Sequence, residues 1–161
     1  MATQKNLDEA YMACARAIAA LSHAERKKVG AIMVSSHGII AEGCNGTPSG
    51  FDNCCEHYTM HAWEYGLGPC MTCGKPQDES HECQLVTKPE VLHAESNAIA
   101  KVAKSTNSSL CATLYVTCSP CFECSKLIIQ AGINRVVYDE EYRLLDGIDL
   151  LRKANIEVVK L

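Results

Sequence analysis

Two short segments containing histidine and cysteine constrain this chain more than any other feature. His93 and Glu95 are separated by one residue, and Cys121 and Cys124 follow Pro120 with two residues between them. One imidazole and two thiolates are side chains that zinc prefers. Three protein donors leave the fourth position of a tetrahedral zinc open to water, which is the arrangement of a catalytic site. The residue types therefore predict a catalytic zinc held by the histidine and the two cysteines, with Glu95 moving protons beside it.

Each of the two segments is predicted to begin a helix. Pro120 is favoured at the first turn of a helix, and the positive end of the helix lowers the pKa of a thiol such as Cys121. Residues two apart on a regular helix point in nearly opposite directions. His93 and Glu95 can therefore converge only if His93 is a cap, where the backbone is not yet helical.

A closed structural site is the rival arrangement. Cys118, Cys121 and Cys124 are evenly spaced, and with His93 they would complete four protein donors. Cys118 ends a predicted strand, however, and a closed site would leave Glu95 without a function. We therefore favour the open site, with Cys118 as a small buried side chain, and we also expect Cys14 and Cys111 in the core.

Composition and charge narrow the class of protein. The 161 residues are enough for one domain, residues 1–161, and 47% of them are hydrophobic. No segment has the length and apolarity of a membrane span or of a signal peptide, so we expect a cytoplasmic protein without a membrane partner. A net charge of -4 argues against nucleic acid as a partner.

Eleven cysteines in a cytoplasmic chain favour metal ligation over disulfides. The stretch from about residue 51 to 90 is irregular and rich in cysteine and histidine, with Cys70 and Cys73 spaced as a C-x2-C pair. A loop of this length inside a compact domain needs a reason, and a bound metal would be one.

Periodicity predicts an α/β fold. The predicted helices are Leu7–Leu21, Ala94–Lys104, Cys121–Ala131 and Tyr142–Ala154, and the predicted strands are Val29–Val34, Gly38–Gly43, Thr113–Thr117, Arg135–Tyr138 and Ile156–Val159. The alternation in the second half implies parallel pairing through crossovers. We expect a five-stranded mixed sheet with an antiparallel first hairpin and helices on both faces.

Four segments together resemble a known family. They are Val29-Gly30-Ala31-Ile32, the loop Gly43–Gly50 with its pattern G-x-N-G-x-P-x-G, His93–Ile99, and Thr113–Ile133. They are closely similar to the deoxycytidylate (dCMP) deaminases, particularly phage-encoded ones, of the zinc-dependent cytidine/deoxycytidylate deaminase family. The Gly43–Gly50 loop distinguishes this family from the tRNA adenosine deaminases, which share the zinc motif but lack the loop.

The resemblance implies a fold, a reaction and a form of regulation. The fold would be a cytidine-deaminase-like three-layer α/β/α sandwich. The reaction would convert dCMP and water to dUMP and ammonia for thymidylate synthesis. Members of the family are typically homohexamers that dCTP activates and that dTTP inhibits together with Mg²⁺. If the chain is phage-encoded, it would act in the host cytoplasm.

The resemblance also assigns residues to the substrate and effector sites. Asn45 would contact the substrate sugar, and Ala94 and Ser119 would belong to the same substrate site. Gly43, Asn45, Gly46 and Lys104 would take part in the regulatory site.

Charge and side-chain type suggest two further substrate contacts. Lys28, or its neighbours Arg26 and Lys27, is a reasonable partner for a phosphate, although a solvated basic turn would look the same. Tyr142 follows a strand and could pack against a base, whereas Tyr115 and Tyr138 are expected in the core.

A second, structural zinc is implied by the phage members of the family. The positions correspond to Cys54 and Cys83, and Cys70 and Cys73 between them would complete four thiolates. Neighbouring donors could replace any of these ligands, namely Cys55, His57, His61 and His81.

Two other functions stay open at this point. A polynucleotide or tRNA deaminase would use the same motif, although the acidic charge and the glycine-containing loop disfavour it. A nucleotide sensor without turnover would bind dTTP or dCTP at the same site, although it would have no need of Glu95.

Overall fold

The computed structural model describes residues 3–58 and 85–161. Its helices are α1 (Gln4–Ala19), α2 (Ala94–Ala103), α3 (Phe122–Gln130) and α4 (Asp146–Lys153). Its strands are β1 (Gly30–Ser35), β2 (Gly38–Cys44), β3 (Glu56–Tyr58), β4 (Leu85–Thr87), β5 (Thr113–Cys118), β6 (Arg135–Glu140) and β7 (Glu157–Lys160). In these ranges no helix combines the length and the apolarity needed to cross a bilayer.

The main sheet has five strands in the order β2-β1-β5-β6-β7. β1 pairs antiparallel with β2 and β5, and β5, β6 and β7 are parallel to one another. The predicted mixed sheet with an antiparallel first hairpin is confirmed. A second, two-stranded sheet of β3 and β4 was not predicted, because strands of three residues show too little periodicity.

Helices cover both faces of the main sheet. Alternate strand residues face opposite sides, so Met33 and Val116 belong to the cluster that α2, α3 and α4 cover. Ile32 and Tyr115 face the other side and pack with Met12 of α1. The chain therefore forms the expected three layers, with most of the apolar core between the sheet and the three later helices.

α1 packs on the sheet through small side chains. Its buried residues are Asp8, Met12, Ala15 and Ala19. A Cβ atom at Gly30 would lie 2.1 Å from the carbonyl oxygen of Ala15, so helix and strand approach more closely than large side chains would allow. Cys14 and Cys111 are exposed, and their prediction as core residues is wrong. At Cys14 the reason is that the face of α1 that packs on the sheet carries Met12, Ala15 and Ala19, and Cys14 points away from it.

A buried ion pair ties α1 to the sheet. Asp8 is 3% exposed and accepts two hydrogen bonds of 2.8 Å from the Arg135 guanidinium. The Tyr115 hydroxyl donates a third, also of 2.8 Å, and Gln4 donates a fourth. These bonds offset the cost of removing the charges from water. The guanidinium holds the pKa of Asp8 down to about 2.

We expect this carboxylate to make the stability of the fold depend on pH in acid. Its pKa is 3.8 in the absence of the fold and about 2 within it. Its contribution is therefore complete above about pH 4 and is lost as the pH falls through about 2, a change of about 2 kcal/mol. Urea unfolding at several pH values, for the protein and for Asp8→Asn, measures it. A difference in unfolding free energy between the two that stays constant with pH would contradict the prediction.

α4 begins later than predicted. The expected start was Tyr142, but the helix begins at Asp146. The backbone N–H of Tyr142 donates to the Ser119 hydroxyl at 2.7 Å. This bond holds the chain after β6 against the start of α3, in a conformation that local helix propensity does not reveal.

Candidate active site

The start of α2 presents a histidine and a carboxylate to one cavity. His93 is the N-cap, with φ -75° and ψ 157°, so its backbone is extended as predicted. Just before it, Leu92 exchanges two backbone hydrogen bonds with Gly46, of 2.9 and 3.1 Å. The side chains of His93 and Glu95 line the same cavity. The change from extended to helical backbone is what allows this pair to converge.

The start of α3 brings two sulfur atoms to the same imidazole. Cys121 is the N-cap, with φ -71° and ψ 169°, and Cys124 lies in the first turn. The Nδ1 atom of His93 is 3.5 Å from the Sγ of Cys121 and 3.4 Å from that of Cys124. All three donor atoms lie within 4.8 Å of one another.

These separations suit a tetrahedral zinc ion. Zn–S bonds of about 2.3 Å and Zn–N bonds of about 2.0 Å place a sulfur and a nitrogen ligand about 3.5 Å apart. Within the described part of the chain, the cluster of candidate metal donors holds His93, Cys121 and Cys124 and does not include Cys118. The donor chemistry therefore fits zinc with three protein ligands.

Proton sharing distinguishes the two thiols. A hydrogen bond from the Cys124 thiol lowers the pKa of Cys121 to about 3, so Cys121 is a thiolate at neutral pH. The same bond, together with burial, raises the pKa of Cys124. Two thiols that hold one proton are a favourable starting point for a metal cation, which displaces that proton on binding.

Glu95 lies beside the donor cluster, away from water. It is 4% exposed, and burial raises the pKa of its carboxyl group. A carboxyl group that takes up a proton more readily than one in water is suited to general acid–base chemistry near neutral pH.

The cavity has a volume of about 370 Å³, within the usual range for small-molecule sites. Its lining residues are Arg26, Lys27, Val29, Asn45, Thr87, His93, Ala94, Glu95, Cys118, Ser119, Cys121, Tyr142 and Arg143. The structure thus places Asn45, Ala94, Ser119 and Tyr142 in the same cavity as the candidate zinc donors His93 and Cys121. It does not bring Lys28, which lines a neighbouring cleft.

Sequence reasoning did not single out two of the lining residues. Arg143 directly follows Tyr142, and its guanidinium lies 5.5 Å from the centre of the Tyr142 ring. Its position shortly after the end of a predicted strand could have marked Arg143 as a candidate for the site. Thr87 carried no signal, because β4 was not recognised.

Asn45 holds the basic segment, residues 26–28, beside the cavity. Its carboxamide accepts a hydrogen bond from the N–H of Val29 at 2.8 Å and donates one to the carbonyl of Lys27 at 2.9 Å. The side chain therefore fixes the backbone of residues 27–29, in addition to lining the cavity.

The other residues assigned to a regulatory site do not line this cavity. Gly43 is buried under α2, and a Cβ atom there would lie 2.3 Å from the carbonyl oxygen of Ala94. Gly46 pairs with Leu92. Lys104 is the C-cap of α2, at the opposite end from His93. Their role in regulation stays a prediction.

The second zinc site falls largely outside the described residues. Cys70, Cys73 and Cys83 lie there, as do His61 and His81. Cys54 is exposed, and its thiol donates to the carbonyl oxygen of Glu56 at 3.2 Å. The ligand set stays a prediction, as does a metal-binding insertion at residues 51–90.

Comparison with known proteins identifies the family. The family model for the cytidine and deoxycytidylate deaminase zinc-binding region matches residues 5–140. The chain belongs to this deaminase family. The deoxycytidylate deaminase of Enterobacteria phage T4 is 35% identical over 151 residues, which covers 81% of this chain and 77% of the relative. That of Mycobacterium phage D29 is also 35% identical, over 83% of this chain and 94% of the relative.

Solved structures confirm the fold expected of the family. The dCMP deaminase of cyanophage S-TIM5, determined in complex with dCMP and dUMP, matches with a TM-score of 0.77 and 40% identity. The match covers 100% of both chains. A transfer-RNA deaminase that edits the wobble position matches with a TM-score of 0.54 and 18% identity, which shows the fold alone. The cytidine-deaminase-like sandwich is therefore confirmed, whereas the single-domain boundaries, residues 1–161, stay a prediction.

Proposed function

We propose that the protein hydrolyses dCMP to dUMP and ammonia. The observation that carries the proposal is one cavity lined by His93, Cys121 and the buried Glu95, with Cys124 completing the cluster of three candidate zinc donors. A similar enzyme from cyanophage S-TIM5 has been solved with dCMP and dUMP. The reaction transfers the oxygen of water to the ring carbon that carries the amino group, and the bond from that carbon to nitrogen breaks.

The residues of this chain divide the chemistry between them. When bound by the three donors, zinc supplies a Lewis acid that makes water a nucleophile near neutral pH. Glu95 accepts one proton from the attacking water and delivers it to the ring nitrogen, and it then transfers the remaining proton, from the new hydroxyl group on the ring carbon, to the departing amino group.

The charges of the cavity support a phosphorylated substrate. A mononucleotide carries about two negative charges on its phosphate. Arg26, Lys27 and Arg143 line the cavity, although the chain as a whole has a net charge of -4. A local excess of positive charge in an acidic protein favours a small anion over a polynucleotide backbone.

The proposal also covers regulation and assembly. Similarity in the Gly43–Gly50 loop supports activation by dCTP and inhibition by dTTP with Mg²⁺ at a second nucleotide site. Overall similarity to the phage deoxycytidylate deaminases supports a homohexamer, a structural zinc at Cys54, Cys70, Cys73 and Cys83, and a cytoplasmic location.

The test is turnover by the zinc-loaded protein on dCMP, CMP, deoxycytidine and dCTP, each with and without dTTP. We expect loss of the cytosine absorbance with dCMP at the highest kcat/KM, and slower reaction with dTTP and Mg²⁺. Removal of zinc by a chelator should abolish the reaction, and added zinc should restore it, because the donors are arranged for that ion.

Other results would redirect the proposal. If nucleotides bind to the zinc-loaded protein but the absorbance does not change, the protein is a nucleotide sensor. If it binds RNA or single-stranded DNA in a salt-sensitive manner and deaminates them in preference, it is a polynucleotide deaminase. Insensitivity to dTTP would remove only the regulatory part.

A further inference from the structure

The basic segment at the mouth of the cavity has no regular secondary structure, and the second sheet holds it in place. The carboxylate of Glu56 on β3 accepts hydrogen bonds from the backbone N–H groups of Glu25, at 3.1 Å, and Arg26, at 3.4 Å. On β4, the hydroxyl of Thr87 accepts one from the Arg26 guanidinium at 3.1 Å. The backbone and the side chain of Arg26 are thus both anchored to this sheet.

Glu56 and Thr87 act at the same point of the sheet. They are directly opposed in the antiparallel register of β3 and β4, and cross-strand neighbours of this kind are about 5 Å apart. Glu56 is 6% exposed. A buried carboxylate is costly unless hydrogen bonds satisfy it, so its two backbone contacts specify where residues 25 and 26 lie.

Arg26 is the cavity cation best placed to bind an anion. The ammonium group of Lys27 forms an ion pair with the carboxylate of Glu140, with an N–O distance of 2.9 Å. The guanidinium of Arg143 lies over the ring of Tyr142. Among residues 3–58 and 85–161, no carboxylate forms an ion pair with Arg26. A guanidinium has five N–H donors and matches a phosphate in a two-pronged contact.

We propose that the cross-strand pair Glu56 and Thr87 positions Arg26 to bind the 5′-phosphate of the substrate. The pair would thereby set the preference for a nucleotide over a nucleoside. The inference rests on the proposed function for the identity of the substrate. It assigns to the second sheet a role in recognition, in which Arg26 contacts the phosphate and the other two residues act through it.

The first experiment compares Thr87→Val with Thr87→Ser in the zinc-loaded protein. Valine removes the acceptor oxygen while keeping the side-chain shape, and serine keeps the oxygen. We expect Thr87→Val to raise KM for dCMP about tenfold with kcat nearly unchanged. Thr87→Ser should have a KM for dCMP close to that of the unaltered protein, because it keeps the acceptor oxygen. The kcat/KM for deoxycytidine, which has no phosphate, should stay within about twofold.

The second experiment compares Arg26→Met with Arg152→Met, which removes an arginine from the exposed surface of α4. We expect Arg26→Met to raise KM for dCMP about a hundredfold and Arg152→Met to have no effect. Equal losses on dCMP and deoxycytidine would show a structural role and overturn the inference. An unchanged KM for Arg26→Met, or a larger loss for Arg143→Met, would also overturn it.

Binding separates this inference from the proposed function. Titration calorimetry with dUMP and deoxyuridine requires no turnover. We expect the preference for dUMP over deoxyuridine to fall about tenfold in Thr87→Val. If the protein lacks deaminase activity but shows this loss, only the proposed function fails. If it deaminates dCMP and its preference for dUMP does not depend on Thr87, only the inference fails.

Discussion

Replacement of Glu95 by glutamine is expected to lower kcat on dCMP about a thousandfold while the zinc content stays unchanged. The amide keeps the size of the side chain but can no longer take up and deliver a proton. Glu95 is separate from the three donors that cluster around the metal position, so its loss should not release zinc. The decrease in cytosine absorbance gives kcat, and metal analysis of the same sample gives the zinc content.

Glu90→Gln is the matched control. Glu90 is exposed and precedes the same helix, and it does not line the cavity, so the same chemical change there should leave kcat unaltered. An active, zinc-loaded Glu95→Gln variant would remove Glu95 from the mechanism. Loss of zinc together with activity would instead assign Glu95 to the metal site.

Replacement of Arg135 by methionine is expected to lower the free energy of unfolding by about 3–5 kcal/mol. The change leaves Asp8 in a buried position without its counter-charge, and only Tyr115 and Gln4 would still donate to it. The pair between Arg135 and Glu157 adds little, because the Glu157 side chain is 62% exposed. Urea unfolding at pH 7 measures the loss.

Two further variants show whether the loss comes from the unpaired carboxylate. Arg152→Met breaks an ion pair whose side chains are 61% and 68% exposed, and it should cost less than about 0.5 kcal/mol. The double variant Asp8→Leu with Arg135→Met removes both charges and should recover most of the stability. A double variant as unstable as Arg135→Met alone would show that lost packing, not the buried charge, is responsible.

Local chemistry made the cluster of candidate metal donors predictable. The spacing of Cys121 and Cys124 places both thiols on one helical turn, and a histidine can share a site with the carboxylate two residues later only from a cap. These constraints act within a few residues, so they are visible in the sequence. The main strands were predictable for a related reason, because β1, β5 and β6 are short, nearly continuously buried apolar runs, and such a run is a local pattern.

Contacts between segments distant along the chain were not predictable in this way. The late start of α4 depends on a bond between Ser119 and Tyr142, and the buried face of α1 depends on Gly30 and on Arg135. Among the neighbouring basic residues, only the tertiary structure shows that Arg26 and Lys27 line the cavity and that Lys28 does not.

The sequence alone was enough to predict the cluster of candidate metal donors, the carboxylate beside it and the strands that precede them, since each depends on the chemistry of near neighbours. The tertiary structure alone decided which cations surround the site and which residues hold them there. Glu56 and Thr87 lie far from Arg26 along the chain and reach it only because two short strands pair beside the cavity. Such pairing depends on packing throughout the domain, which no local pattern records.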